Sequence, residues 1–159
     1  MTDDGAQATV DAAAAGAARD AELAQILGET RTVAVVGIKD VETEDAFRVP
    51  RYLCEHGYTI VPVNPKLDRV LDETAHADLA AVQEAGIEVD LVNLFRANEN
   101  VPAHADEILS MSPRPKAVWM QLGVQHGPSA ARLRAAGIRV VQDRCIMVDH
   151  RRLASAPDA

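Results

Sequence analysis

The sequence predicts an α/β fold: a Rossmann-like, doubly wound, five-stranded parallel sheet with helices on both faces. Short β-branched runs of the kind that form buried strands alternate with segments of helical spacing. Glycines stand at many of the boundaries between them. Since a helix separates each strand from the next, the units are βαβ, and right-handed crossovers make the sheet parallel.

The predicted elements follow one another along the chain. A short amphipathic helix begins at Asp20 and ends at Gly28, because a glycine readily closes a helix. Pro50 is expected in the first turn of its helix, where proline is tolerated. Residues 144–153 are compatible with a short helix or a strand. Five strands are predicted over residues 33–38, 58–63, 89–95, 117–122 and 138–142, and the helices between them over residues 47–54, 77–85, 101–111 and 129–136.

The length of 159 residues fits one ordinary domain. Residues 1–19 are rich in alanine and poor in large apolar side chains, so we expect a mobile N-terminal tail. The domain is then expected over residues 20–153, followed by a C-terminal tail at residues 154–159.

Charge and composition exclude several classes of protein. With 16 basic and 24 acidic residues the formal net charge is −8, which argues against a nucleic-acid binder because such proteins need a basic surface. No apolar run approaches the roughly 20 residues that a membrane-spanning helix needs, and the acidic start does not resemble a secretory signal. The isolated Cys54 and Cys145 form neither a disulfide framework nor a metal motif, and they favour a reducing cytoplasm.

The residues just after each strand are the candidate ligand contacts. Doubly wound sheets bind ligands beyond the carboxyl ends of their strands, near the point where the strand order reverses. We assign none of these residues a catalytic role. The candidates are Gly37, Ile38, Lys39, Asn64, Pro65, Lys66, Phe95, Arg96, Gln121, Gly123 and Cys145.

Gly37 ends the first strand in a way that suits a phosphate site. A glycine there lets the backbone approach a ligand, and the following helix points its free N–H groups toward a phosphate. Lys39 and Arg48 flank that helix and suit a pyrophosphate, although they equally suit the acidic residues of the same loop. The loop is not a GxGxxG motif, since no second glycine occurs between Gly37 and Phe47.

The second strand ends in Asn64-Pro65-Lys66, which bears on the type of nucleotide. Enzymes that bind NAD usually carry Asp or Glu at this position to bind the ribose hydroxyls. An amide followed by a lysine favours a ribose that carries a phosphate, or a rigid turn with no ligand role.

The remaining strand ends carry less specific signals. Phe95 and Arg96 are candidates to stack on or pair with a ligand, although Phe95 equally suits the core. Gln121 and Gly123 are candidates to line the cleft. Cys145, beside an arginine, is a candidate thiolate, with a buried and inert cysteine as the alternative.

In order and at these spacings, the motifs resemble the small stand-alone CoA-binding proteins, whose Rossmann-like domain is similar to the CoA-binding domain of the succinyl-CoA synthetase alpha subunit. The resemblance runs from Thr32 to Leu153. It is carried by Val33-Ala34-Val35-Val36-Gly37, Phe47-Arg48-Val49, Tyr52-Leu53, His56-Gly57-Tyr58, Val61-Pro62-Val63-Asn64-Pro65, Val118-Trp119-Met120-Gln121-Leu122-Gly123, and Asp143-Arg144-Cys145-Ile146 through His150-Arg151-Arg152-Leu153.

The resemblance implies CoA or an acyl-CoA as the ligand. It places the pyrophosphate beside the loop after Gly37, with Phe47 and Arg48, and the 3′-phosphate near Asn64-Pro65-Lys66. This chain differs from most members at Lys39, where they carry a small hydroxyl residue, and in a more acidic loop.

The expected function is therefore a non-catalytic carrier or sensor of CoA or acyl-CoA, with a small-molecule ligand and no nucleic-acid or membrane partner. The alternative is a nucleotide-dependent enzyme or subunit, either an acyl-CoA synthetase component or an NAD(P)-dependent oxidoreductase. The first needs further domains, and the second needs an acid at position 64, a glycine-rich turn and a catalytic domain. A third hypothesis is a mixed disulfide between Cys145 and the CoA thiol.

Overall fold

The protein is described by a computed structural model that covers residues 3–154. Five strands form one parallel sheet, and a separate two-stranded hairpin lies between the second and third of them. The sheet strands are β1 (Thr32–Val36), β2 (Thr59–Val63), β5 (Leu91–Leu94), β6 (Ala117–Met120) and β7 (Arg139–Val141), and the hairpin strands are β3 (Arg69–Val70) and β4 (Glu73–Thr74).

Helices cover both faces of the sheet, which confirms the predicted fold class. One apolar core lies under α3, α4 and α5, and the other lies under α1, α2 and α6. No helix within residues 3–154 combines the length and apolar character that crossing a membrane requires. The helices are α1 (Asp3–Glu29), α2 (Asp45–Glu55), α3 (Leu79–Glu84), α4 (Val101–Leu109), α5 (Gly127–Ala135) and α6 (Ile146–Ala154), with a 3₁₀ turn at Asn98–Asn100 before α4.

The strand β1, which lies inside the sheet between β2 and β5, shows why its sequence is apolar throughout. Ala34 and Val36 of β1 point into the core under α3, α4 and α5, whereas Val33 and Val35 point into the other core. All four side chains are buried. A strand that is covered on both faces has no polar side to present to water, so its apolar residues run continuously.

The order of the strands reverses once, between β1 and β5. The order is β2-β1-β5-β6-β7, so the chain leaves β1 toward one side and later returns to pair on its other side. Val36 is paired with Val63 of β2 and with Leu94 of β5, so these three strands end level with one another. The reversal between β1 and β5 opens a crevice at their carboxyl ends.

The N-terminal helix is longer than the sequence predicted. It begins at Asp3 rather than at Asp20. Leu23, Ile26 and Leu27 are buried and anchor its last turns, and an existing helix extends readily through alanine, which has the highest helix propensity. Whether residues 1–19 move in solution stays a prediction, and residues 155–159 lie outside the described part of the chain.

The helix after β1 also begins earlier than predicted. α2 starts at Asp45, so Pro50 lies inside it, and the expectation of a first-turn proline was wrong. The negative charge of Asp45 is favourable at a helix N-terminus, and this charge had suggested a loop. A proline inside a helix leaves the carbonyl four residues earlier without its usual donor.

Of two further segments, one was left open between helix and strand, and the other was not predicted. The segment that was compatible with helix or strand is α6. The β3–β4 hairpin was not predicted, because its turn is made by Leu71 and Asp72 with φ of 53° and 62°. Tight turns of this kind are usually signalled by glycine or asparagine, and leucine gives no such signal.

Candidate functional site

A cavity of about 460 Å³ opens at the carboxyl ends of β1, β2 and β5, where the strand order reverses. We call this cavity the first lobe. Residues of α4 and of the segment before α3 close its far side. Seven of the predicted site residues line it: Gly37, Lys39, Asn64, Pro65, Lys66, Phe95 and Arg96.

A second cavity, also of about 460 Å³, adjoins the first and extends toward the end of β6 and the N-terminus of α2. We call it the second lobe. It shares Gly37, Lys39, Phe95 and Arg96 with the first lobe, and it adds the predicted residue Gln121. The two lobes therefore form one elongated cleft with the loop after β1 at its middle.

Position 37 requires a glycine because the neighbouring backbone leaves no room for a side chain. Its φ is +86°, and a Cβ atom added there would lie 2.3 Å from the carbonyl oxygen of Phe95. Its N–H donates to the carbonyl of Val63 at 2.9 Å. The close approach that the sequence attributed to a ligand is made by the loop after β5, which brings Arg96 to the middle of the cleft.

Ile38 lies behind the cleft and is not among the residues that line either lobe. Its side chain is fully buried in the core under α1, α2 and α6. Its N–H has no hydrogen-bond partner among residues 3–154, whereas the neighbouring Gly37 and Lys39 N–H groups both donate to carbonyls. Because the whole residue is buried, this amide is enclosed in the protein, and the predicted contact between Ile38 and a ligand stays a prediction.

Asn64 joins the two loops that border the first lobe. Its Nδ2 donates to the carbonyl of Ile38 at 2.8 Å, and its Oδ1 accepts the N–H of Lys66 at 2.8 Å. The side chain thus acts as donor and acceptor at once, which an aspartate cannot do. The rigid turn that the sequence left open exists, and it holds Lys66 at the rim of the first lobe.

The four cations near the cleft differ in their pairing. The Lys39 ammonium is 3.0 Å from a carboxylate oxygen of Glu44, and Arg48 pairs with Asp45. Arg48 is exposed on α2 and is not among the residues that line either lobe. The side chains of Lys66 and Arg96 line the first lobe, and the described part of the chain offers neither an ion pair nor a hydrogen bond to their charged groups.

The end of β6 forms the wall of the second lobe. Gln121 is buried, and its Oε1 accepts the N–H of Ile146 and the Nδ2 of Asn93, each at 3.3 Å. Gly123 turns away at a φ of +85°, and its N–H donates to the carboxylate of Asp143 at 2.7 Å. The structure therefore brings Gln121 to the cleft and leaves Gly123 outside both linings.

Like Ile38, two further predicted residues lie among core residues instead of on the cleft linings. The Phe47 side chain is buried in the core under α1, α2 and α6. The guanidinium carbon of Arg51 lies 5.4 Å from the centre of its ring. Cys145 is half-buried at the start of α6, packs against the same core and lines neither lobe.

The arginine beside Cys145 is engaged elsewhere. Arg144 makes two hydrogen bonds, of 2.7 and 2.8 Å, to the buried carboxylate of Asp149. Burial alone would raise the pKa of Asp149, but the hydrogen bonds from Arg144 and Arg152 outweigh it and hold that pKa below its usual value. This pair fixes the start of α6 behind the second lobe, since the carbonyl of Arg144 also accepts the Trp119 indole N–H at 2.8 Å.

Three polar residues of the first lobe were missed by the sequence analysis. Glu107 accepts the N–H of Leu79 at 3.0 Å, and its other oxygen lies 3.3 Å from Nδ1 of His104. Asp78 caps α3 by accepting the N–H of Ala81 at 2.8 Å. These residues reach the cleft from helices, and no local pattern connects a helix position with the end of a distant strand.

A larger cavity, of about 550 Å³, lies between α3 and α4, away from the strand ends. Its charged lining residues are Glu84, Asp106 and Glu107, so it is unsuited to a phosphate. Within the described residues no cluster of three or more His, Cys, Asp or Glu side chains could hold a metal ion. Among the cavities of residues 3–154, the elongated cleft with its unpaired cations is the one suited to an anionic ligand.

Comparison with known proteins agrees with this geometry. The model of the CoA binding domain family matches residues 31–151. The uncharacterized protein YneT of Bacillus subtilis is 32% identical over 130 residues, which cover 82% of this chain and 93% of that protein. A solved structure from Thermus thermophilus is 37% identical, with a TM-score of 0.75 over 84% of this chain and 98% of that one. A hypothetical protein from Pyrococcus horikoshii is 29% identical, with a TM-score of 0.78 over 86% and 92% of the two chains.

Proposed function

This chain belongs to the CoA-binding domain family, and on that premise we propose that it binds coenzyme A or an acyl-CoA in the two-lobed cleft, as a carrier or sensor without turnover. The observation that carries the proposal is the first lobe at the strand reversal, lined by the unpaired cations of Lys66 and Arg96. CoA is elongated and carries a pyrophosphate and a separate 3′-phosphate, so its binding calls for positive groups at two points along one cleft.

Arg96 and Lys66 supply those two points. Arg96 lies beside the shared middle of the cleft, where it suits the pyrophosphate. Lys66 lies at the far rim of the first lobe, on the turn held by Asn64, and it suits the 3′-phosphate of the ribose. Lys39 also faces both lobes, but a phosphate has to displace Glu44 to reach it.

The same residues argue against NAD and against an oxidoreductase. The position that usually carries an acid for the ribose hydroxyls is Asn64, and both ends of its side chain are occupied within the protein. The loop after β1 has no second glycine, and Phe95 takes the space beside Gly37.

The cleft also favours binding over catalysis. Cys145, the residue that the mixed-disulfide hypothesis needs, lies outside both linings, and the neighbouring arginine is held by Asp149. We therefore place binding without chemistry ahead of that hypothesis and ahead of a role as an acyl-CoA synthetase component. Both cysteines are free, which supports the expected cytoplasmic setting, and the net charge of −8 supports a small-molecule ligand over nucleic acid.

Calorimetric titration of the purified protein with CoA, dephospho-CoA and NAD tests the proposal, after native mass spectrometry has shown what co-purifies. We expect CoA to bind more tightly than dephospho-CoA, and NAD to bind weakly or not at all. Binding of NAD with no response to CoA would overturn the proposal.

A pair of lysine variants tests the assigned position of the 3′-phosphate. Lys66→Ala should weaken CoA binding about tenfold, as expected for one exposed charge-assisted contact, and leave dephospho-CoA binding unchanged. The matched control is Lys116→Ala, which removes an exposed lysine outside both lobes. Equal losses for CoA and dephospho-CoA would remove Lys66 from that role.

A further inference from the structure

The loop after β1 is tied to α2 by a carbonyl that a regular helix would use internally. The N–H of Lys39 donates to the carbonyl of Ala46 at 3.2 Å. In an α-helix this carbonyl accepts the N–H of the residue four positions later, which here is Pro50. Proline has no N–H and its ring crowds that carbonyl, so the carbonyl is free to bind outside the helix.

We propose that Pro50 is a positioning residue for the ligand loop, which it holds in shape by leaving the Ala46 carbonyl to Lys39. The proposal rests on the proposed function, because it assumes that this loop contacts the ligand. Pro50 itself is buried, lines neither lobe and has no atom in the cleft. It acts only through the backbone.

The other bonds of the loop show why this tie matters. The end of β2 and the residue after it hold the first part of the loop. The Gly37 N–H donates to the Val63 carbonyl at 2.9 Å, and the Asn64 side chain donates to the Ile38 carbonyl at 2.8 Å. The bond from Lys39 to Ala46 is the tie on the other side, from α2. Anchored on both sides, the loop presents Gly37 and Lys39 to both lobes in one fixed arrangement.

Replacement of Pro50 returns a donor to the helix. In Pro50→Ala the new N–H lies opposite the Ala46 carbonyl, the crowding by the ring disappears, and the carbonyl turns back into the helix. The N–H of Lys39 then loses its acceptor, and the remaining link between the loop and α2 is the exposed ion pair of Lys39 with Glu44. Alanine favours a helix interior far more than proline does, and this gain offsets the loss of the two buried methylene groups of the proline ring.

Three measurements on Pro50→Ala test the proposal: the thermal midpoint, the affinity for CoA by calorimetry, and the exchange rate of the Lys39 amide by nuclear magnetic resonance. We expect an unchanged or higher midpoint, about fivefold weaker CoA binding, and about tenfold faster exchange of the Lys39 N–H, as follows from the loss of one hydrogen bond. A merely structural role would lower the midpoint together with the affinity.

The control is Pro128→Ala in α5. This proline is exposed and lies at the second helical position, where a backbone N–H has no partner within the helix in any case. It should change neither CoA affinity nor Lys39 exchange.

The two proposals fail in different ways. Wild-type affinity and wild-type Lys39 exchange in Pro50→Ala would overturn the role of Pro50, even if CoA binds. If the wild-type protein binds no CoA, the proposed function fails, and unaltered Lys39 exchange in the variant would still refute the tie itself.

Discussion

Replacement of Gly37 by alanine separates two costs that usually occur together. At a φ of +86° any side chain is strained, and here the new Cβ would also lie 2.3 Å from the carbonyl oxygen of Phe95. Gly137 has the same φ of +86° but nothing within 4 Å of its added Cβ. The two variants therefore share the backbone strain and differ in the steric clash.

The magnitudes follow from that difference. Left-handed strain costs roughly 1–2 kcal/mol in each variant, and forcing backbone atoms apart adds about 1–3 kcal/mol at Gly37 alone. We expect Gly137→Ala to lower the free energy of unfolding by about 1 kcal/mol and Gly37→Ala by about 3 kcal/mol. Urea unfolding curves with matched slopes measure both values.

The result also bears on the ligand. The clash moves the loop that carries Arg96, so Gly37→Ala should lose CoA affinity, whereas Gly137→Ala should retain it. Equal stability losses in the two variants would refute the steric argument. They would mean that the loop after β5 moves aside without cost.

Three further predictions concern charge. Glu44→Gln frees Lys39 from an exposed ion pair and should tighten CoA binding about threefold, so an unchanged dissociation constant would show that Lys39 is not used. Burial, together with the neighbouring His56, lowers the pKa of His150 from 6.5. The unfolded chain therefore binds a proton at this residue at a higher pH than the folded chain does. As a result, the free energy of unfolding falls as the pH drops below 6.5. Unfolding curves at about pH 7.5 and pH 5.5 should show a smaller drop in His150→Gln than in the wild type. Asp149→Asn removes the charge that pairs with Arg144 and should cost about 2 kcal/mol in urea unfolding, whereas a cost near zero would mean that the pair does not fix the start of α6.

The location of the cleft could be predicted because it follows from topology. Once the β-branched runs are assigned as parallel strands, their carboxyl ends meet at one edge, and the residues that follow them are neighbours whatever their separation along the chain. Gly37, Asn64 and Arg96 therefore come together as predicted. Nothing about a side chain's direction is needed for that inference.

The role of each residue at that edge depends on packing, which the sequence does not express. The glycine after β1 was attributed to a ligand, but Phe95 occupies the space beside it. Arg48 lies in the right segment, yet it is exposed on α2 and paired with Asp45. The direction in which a helical side chain points, and the contacts between loops that are distant in sequence, are determined only in the folded chain.

The missed elements have the same origin. The start of α2 carries Glu44 and Asp45, whose charges suit both a solvated loop and a helix N-terminus. That ambiguity put Pro50 in the wrong turn of the helix and concealed the tie between Lys39 and Ala46. His104 and Glu107 reach the cleft only because α4 packs beside α3, which local periodicity cannot reveal.

The most direct test of the central claim is a two-dimensional amide resonance titration of the labelled protein with CoA. We predict that the signals of Gly37, Lys39, Lys66 and Arg96 shift with the same saturation curve, because these residues line the two lobes. The absence of shifts up to millimolar CoA would contradict CoA binding in the two-lobed cleft. Shifts confined to residues of the cavity between α3 and α4 would contradict it as well.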